Sequence, residues 1–179
     1  VRVLGSQDGD CKNIAVFGGN KMTAIGRDCG GTTGDHLFQQ AYPVFSWGME
    51  YIHMAFKGRS SGEMVKVLAS DNDTEVFING VSQGKINRGK FLTFNFGEDE
   101  IVNIRGSKPI AVTTFAKSQW CNIQNGPFAS NGDPTMVTLS PNNQLIKKVA
   151  FSAVKVVGIV NHYLNVIAKR GTESQTFLD

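Results

Sequence analysis

Cysteine, histidine and carboxylate side chains are the groups in this 179-residue chain that could carry out catalysis or bind a metal ion. Cys29 lies a few residues before Asp35 and His36, and a cysteine beside a base can act as a nucleophile. A metal site needs three or four ligands, and the three histidines, His36, His53 and His162, lack ligand spacing. We therefore expect structural or surface roles for them, with no catalytic residue, no metal, no cofactor and no enzymatic activity.

The two tryptophans could serve as binding platforms, because aromatic side chains dominate the energetics of interfaces. Trp47 follows Phe45 and Ser46, in a stretch that is more typical of a core residue or a strand-edge anchor. Trp120 lies in a long polar loop next to Cys121. For Trp120 the sequence leaves both roles, structural and partner-binding, open.

A hairpin is the clearest structural element that could position such residues. Met64 to Ala69 and Glu75 to Ile78 alternate apolar and polar residues, as half-buried strands do. The short polar residues between them favour a tight turn, and Asn79-Gly80 begins the next reversal. Asn72-Asp73-Thr74, at the hairpin tip, matches the acceptor pattern for N-linked glycosylation, which matters only in an organism that glycosylates.

The rest of the chain also consists of short strand-like runs separated by Gly, Asn and Asp turns, which predicts an all-β fold. We expect sandwich-like antiparallel sheets; a propeller-like or tandem arrangement is the alternative. Gly18-Gly19-Asn20 is expected to end a strand, and Gly106 to Pro109 to separate two. The predicted strands outside the hairpin include 13–17, 50–56, 91–96, 101–105, 110–115, 136–139, 149–154 and 163–168.

Comparison of the chain with itself suggests two pseudo-repeats of about 98 residues, the second incomplete. Lys12 to Val16 lines up with Lys108 to Val112, and Val67 to Ala69 lines up with Val166 to Ala168. The offsets between matched segments increase slowly along the chain. We therefore predict one β unit at residues 1–100 and another at 101–179, packed together as one domain from a longer protein.

Composition and charge narrow the classes of function. The net charge of +3 is small and the lysines and arginines are scattered, whereas a nucleic-acid-binding domain concentrates them in a basic patch. No apolar run approaches the roughly 20 residues of a membrane-spanning helix. Three cysteines, Cys11, Cys29 and Cys121, leave one unpaired if any disulfide forms. Which of them pair, or whether all three are free thiols, stays open here.

Several sequence blocks together resemble the N-terminal domain family of the mucus IgG Fc-binding protein and its secreted bacterial homologues. The blocks follow the family order along nearly the whole chain: Ile14 to Asn20, Asp35 to Gln40, Trp47 to Tyr51, Val67 to Ser70, Thr74 to Gly80, Ser107 to Val112, Gly132 to Met136 and His162 to Leu164. Met22 and Gly34 stand where the family usually has cysteines. The resemblance therefore carries over no disulfide pairing and no catalytic residue.

This resemblance implies an extracellular or cell-surface module for adhesion or binding, without enzymatic activity. The implied partner is a protein or glycoprotein, and an immunoglobulin or a mucin is suggested by the resemblance alone. The alternative is a carbohydrate-binding β-sandwich that uses Trp120. Because binding residues concentrate on loops held by a rigid scaffold, we predict partner contacts in the two loops 21–34 and 117–132, at Arg27, Asp28, Thr32, Trp120, Asn122, Gln124 and Asn125.

Overall fold

The computed structural model of the chain describes residues 14–122, 132–153, 157 and 162–175. Regular structure in this part consists of β-strands joined by turns and short 3-10 helices, with no α-helix. The strands are β1 (Phe17–Thr23), β2 (Asp35–Gln40), β3 (Gly48–Met54), β4 (Glu63–Ala69), β5 (Thr74–Ile78), β6 (Val81–Ile86), β7 (Phe91–Phe96), β8 (Ile101–Ala116) and β9 (Thr135–Thr138).

Strand β8 is the central strand of a seven-stranded antiparallel sheet that curls into a half-barrel. Its first half pairs with β3 and β5, and its second half pairs with β4 and β9. Strand β7 extends the sheet beyond β4, and β6 extends it beyond β5. A single 16-residue strand therefore holds both halves of the sheet in register.

The core lies on one face of this sheet because apolar residues alternate along its strands. In β4, Val65, Val67 and Ala69 are buried while the residues between them are half-buried, as the two-residue period of a strand requires. The buried hydrophobic cluster consists of Tyr51, Val65, Val67, Val76, Phe96, Val102, Ile104, Ile110 and Val112. This packing fixes the ends of β4 and β8, where the candidate site lies.

Strands β1 and β2 form a separate two-stranded antiparallel sheet. The predicted strand break at Gly18-Gly19-Asn20 is wrong, because these residues lie within β1 and Gly19 pairs with Phe38. A Cβ on Gly19 would lie 2.0 Å from the Leu37 carbonyl oxygen. Glycine is used here for the close approach of two strands, which is a known role of glycine within sheets.

The two strands predicted at 101–105 and 110–115 are one continuous strand, β8. Between Gly48 and Glu50 the register of β3 shifts from Ile110 to Arg105, so the extra residues of β8 form a bulge. The glycine and proline that suggested a turn mark this bulge instead. Strands are also absent from the described residues 149–153 and 163–168, contrary to prediction.

The predicted all-β, antiparallel architecture is confirmed by the two sheets, the larger of which curls into a half-barrel. The proposed boundary at residue 100 falls between β7 and β8, and β8 pairs with strands on the other side of that boundary. The two-unit division and the internal repeat stay predictions. Across the described residues, no helix has the length and hydrophobicity needed to span a bilayer.

Candidate functional site

A disulfide joins the two loops that the sequence singled out. Cys29 ends a short 3-10 turn, Arg27–Cys29, and Cys121 lies in another, Gln119–Asn122, directly after β8. The two residues are 92 positions apart in sequence, with their Cα atoms 5.1 Å apart. This answers the open question of which cysteine pairs with Cys29; Cys11 lies outside the described residues.

Hydrogen bonds around Ser118 strengthen the same connection. The Ser118 hydroxyl accepts a hydrogen bond from the Ile25 amide at 3.1 Å and donates one to the Thr33 carbonyl at 2.6 Å. The Ser118 amide donates to the Ile25 carbonyl at 2.8 Å, and the Gln119 amide donates to the Thr33 hydroxyl at 3.1 Å. We call residues 24–33 and 117–122, held together in this way, the clamped loop pair.

Two glycines allow the loops to approach this closely. Gly26 has a φ of 85°, in the left-handed region that favours glycine. A Cβ on Gly31 would lie 2.7 Å from the carbonyl oxygens of Ile25 and Gly26 and 2.9 Å from the Cys121 sulfur. Since real Cβ atoms do not approach other atoms so closely, side chains at either position would push the loops apart.

Four of the predicted contact residues lie on the surface of the clamped loop pair. Arg27, Asp28 and Thr32 are exposed, and the Trp120 side chain is 46% exposed beside the disulfide. A large aromatic ring, a guanidinium and a carboxylate are thus presented on a backbone that is fixed at both loops. Such a surface can bind a partner without first having to order the loops.

Asn122 lies inside the molecule. It is 1% exposed, and its Oδ1 accepts hydrogen bonds from the Ser61 hydroxyl at 2.6 Å and from the Ser61 amide at 3.2 Å. The structure therefore gives Asn122 a supporting role behind the loop rather than a place on its surface. Gln124 and Asn125, the remaining predicted contact residues, lie outside the described residues.

Beneath the clamped loop pair is a buried charged cluster that the sequence analysis did not identify. The Arg59 guanidinium donates to the Lys117 carbonyl, and Lys117 Nζ donates to the Ser61 carbonyl at 3.0 Å. Glu63 Oε1 accepts from the Phe56 amide at 3.1 Å. These bonds tie the loop between β3 and β4 to the segment that follows β8. The cluster therefore supports the clamped loop pair from below.

His53 and Glu63 face each other inside this cluster, and both are fully buried. His53 Nε2 lies 3.7 Å from Glu63 Oε2, and His53 Nδ1 lies 3.2 Å from the Thr114 hydroxyl. Burial lowers the pKa of His53 to about 4 and raises the pKa of Glu63 to about 7. At neutral pH His53 is therefore uncharged, and its contact with Glu63 is not an ion pair.

One signal for this cluster was present in the sequence. His53 alternates with Tyr51 on the inward face of β3 and with Ala55 just after that strand, and Glu63 alternates with Val65 and Val67 on the inward face of β4. A polar residue that continues an apolar alternation is a candidate for a buried, partnered side chain. Because both residues lie near strand ends, a polar side chain at either position would usually be expected to be exposed.

A small cleft lies between the loop that joins β2 to β3 and the segment that follows β9. Tyr42, Ser46, Trp47 and Gln144 line it, with a volume of about 140 Å³. The Trp47 indole donates to the Tyr42 carbonyl at 3.2 Å, and the Gln144 amide donates to the Ser46 carbonyl at 2.7 Å. Trp47 is half-buried, which agrees with its expected role as an anchor.

The groups considered first for catalysis do not converge. The sulfur of Cys29 is bonded to Cys121, and His36 is exposed and stacks on Phe38 with ring centroids 6.0 Å apart. Within 14–122, 132–153, 157 and 162–175, no three His, Cys, Asp or Glu side chains are grouped so that they could hold a metal ion.

Comparison with known proteins places the chain in a family. A family model described as "IgGFc binding protein" matches residues 2–179, which is essentially the whole chain. No curated protein matches the chain, and no solved structure matches it. The match agrees with the resemblance found in the sequence blocks. The chain therefore belongs to the IgGFc-binding protein family.

Proposed function

We propose that this chain is a non-enzymatic extracellular binding and adhesion module that recognises a protein or glycoprotein partner through the clamped loop pair. The observation that carries the proposal is the link between two loops distant in sequence, made by the Cys29–Cys121 disulfide and the bonds of Ser118. It fixes a surface on which Trp120 is exposed beside the disulfide. A fixed surface loses less conformational entropy on binding than a mobile one.

The side chains on this surface are suited to a protein partner. Tryptophan and arginine are enriched among the residues that contribute most to protein interfaces, and Trp120 and Arg27 are both exposed here. Arg27 can bind a carboxylate with two parallel hydrogen bonds, and Asp28 can accept from a basic group. We infer a partner surface that combines an apolar or aromatic patch with at least one carboxylate.

The family description suggests the first partner to test, the Fc region of immunoglobulin G. An extracellular location is supported by the disulfide, because disulfides persist mainly in oxidising compartments. The absence of enzymatic activity is supported by Cys29, whose sulfur is bonded, and by the His53–Glu63 pair, which is buried away from any substrate.

Hydrogen–deuterium exchange with and without the Fc fragment tests the proposal. We expect saturable binding with reduced exchange in residues 24–33 and 117–122. A mucin glycoprotein, tested in the same way, provides a second partner of the expected class. Saturable binding that leaves both segments unprotected, while another surface becomes protected, would show that the clamped loop pair is not the site.

Carbohydrate binding is the second candidate function. It is favoured by the exposure of Trp120 and by the cleft that combines Trp47 and Tyr42 with the hydroxyl of Ser46 and the amide of Gln144. Because the cleft is smaller than the roughly 300 Å³ typical of ligand sites, we propose that it binds no more than one sugar ring. Binding on a glycan array that Trp120→Ala or Trp47→Ala abolishes would favour this candidate over protein recognition.

A further inference from the structure

Asn72, at the tip of the β4–β5 hairpin, is held by two hydrogen bonds that do not use its side-chain nitrogen. Asn72 is exposed. Its Oδ1 accepts from the Arg88 amide at 3.1 Å, and its carbonyl oxygen accepts from Lys108 Nζ at 2.6 Å. Both bonds engage oxygen atoms of Asn72, and neither involves its side-chain Nδ2. A group attached to Nδ2 can therefore leave both bonds in place.

The sequence around this residue is an acceptor for N-linked sugar. Asn72-Asp73-Thr74 has the pattern Asn-X-Ser/Thr with X other than proline, and no other position of the 179 residues has it. Thr74 is buried, and its hydroxyl donates to the Asp71 carbonyl at 2.8 Å. If the glycan is transferred before the chain folds, the Thr74 hydroxyl is still accessible to the transferase.

Asn72 lies at the opposite end of the sheet from the clamped loop pair. The pairing of β4 with β8 runs from Ala69 opposite Ile110 to Glu63 opposite Ala116. Asn72 follows Ala69 and Trp120 follows Ala116, so the length of β4, on the order of 20 Å, separates the two ends. A glycan on Asn72 would therefore extend away from the proposed binding surface.

We propose that Asn72 is an N-linked glycosylation site of this protein. Asn72 Nδ2 forms a bond to the anomeric carbon of an oligosaccharide carried on a lipid pyrophosphate, the bond from that carbon to the pyrophosphate breaks, and the nitrogen loses one proton to the transferase. The inference rests on the extracellular location in the proposed function, because the donor is met on the secretory route. One glycan per chain is expected.

The test is to secrete the full chain from animal cells and to measure its intact mass before and after peptide N-glycosidase in ¹⁸O-water. We expect a glycan that the enzyme removes, with ¹⁸O-labelled aspartate left at position 72. Asn72→Gln should abolish the modification, and Thr74→Ser, which keeps the hydroxyl, should retain it. A secreted wild-type chain with unmodified Asn72 would overturn the proposal.

Binding of the Fc fragment separates this inference from the proposed function. Glycosylated wild type and Asn72→Gln should bind with the same affinity, because the glycan lies far from the clamped loop pair. A chain that is glycosylated at Asn72 but binds no partner would leave the glycosylation site standing and count against the proposed function. A tenfold or larger change in affinity on removing the glycan would contradict its placement away from the site.

Discussion

Across most of the acidic pH range, His53 and Glu63 together bind one proton in the folded chain. Burial lowers the pKa of His53 from 6.5 to about 4 and raises the pKa of Glu63 from 4.5 to about 7. Between about pH 4.5 and 6.5 the folded pair therefore carries its proton on Glu63, and the unfolded pair carries it on His53. Since both states bind one proton, the pair adds no pH dependence to stability in this window.

Single substitutions at these residues should reveal two opposite pH dependences. His53→Asn leaves Glu63, whose raised pKa means that the folded state binds more protons, so the free energy of unfolding falls as pH rises from about 4.5 to 7. Glu63→Gln leaves His53, whose lowered pKa makes the free energy of unfolding rise from about pH 4 to 6.5. The slopes are at most about 1.4 kcal/mol per pH unit.

Urea unfolding measured at several pH values checks this prediction, with the wild type as the control. Desolvation is the largest cause of both pKa shifts, so each shift should survive the removal of the other residue. Two variants with slopes of the same sign, or with no slope, would contradict the assignment of the shared proton.

At the scale of elements, the bulge in β8 lets one strand serve both halves of the sheet. Gly106 pairs with Val76 on one side of β8, while the register of β3 shifts on the other side. A Cβ on Gly106 would lie 2.5 Å from the Lys108 carbonyl oxygen and 2.8 Å from Ile110 Cγ2. The position is therefore crowded by the bulge itself rather than by a neighbouring strand.

Gly106→Ala should destabilise the fold by about 1–3 kcal/mol, as overpacking does in other cores. Gly97→Ala is a matched control, because a Cβ there would meet only Glu100 Oε2 at an ordinary 3.6 Å. The free energies of unfolding of both variants, measured with a chemical denaturant, check the prediction. Equal stability of the two variants would mean that the bulge accommodates a side chain without strain.

Local patterns in the sequence predicted some elements of this fold well. The hairpin of β4 and β5 and the strand β7 lie within one residue of their predicted ends, because alternation and turn chemistry are local signals. The strand across Gly18 to Asn20 and the continuity of β8 were missed, because glycines that break an isolated strand are tolerated where a partner strand approaches closely or bulges.

The candidate site was predictable in part. The two loops and the exposed residues Arg27 and Trp120 were named from sequence, because polar, turn-rich segments without periodicity lie on the surface. The Cys29–Cys121 link was not, since three cysteines allow several pairings. The buried position of Asn122 was missed for a similar reason, because it depends on Ser61, a residue that only the fold brings near.

At the scale of the whole molecule, the disulfide joins the ends of a long segment. It connects residues 92 positions apart, from the loop after β1 to the turn after β8. Closing a long loop restricts the unfolded chain, and native disulfides of this kind stabilise by about 2–5 kcal/mol. The same bond holds the binding loops together, so stability and recognition should depend on it jointly.

The double variant Cys29→Ser/Cys121→Ser should therefore lose about 2–5 kcal/mol in free energy of unfolding. Adding a reductant to the wild type should have a similar effect, whereas the double variant should not respond to the reductant. Denaturant unfolding with and without reductant measures both quantities. Wild-type stability that is insensitive to full reduction would contradict the role given to this bond.

The most direct test of the central claim is the affinity of the Fc fragment for Trp120→Ala compared with the wild type. Val81→Ala on β6 is the control, since Val81 is also an exposed apolar residue but lies away from the clamped loop pair. We expect Trp120→Ala to weaken binding about tenfold or more, as truncation of a hot-spot tryptophan does, and Val81→Ala to leave it unchanged. Saturable binding with equal affinity in all three proteins would contradict recognition through the clamped loop pair.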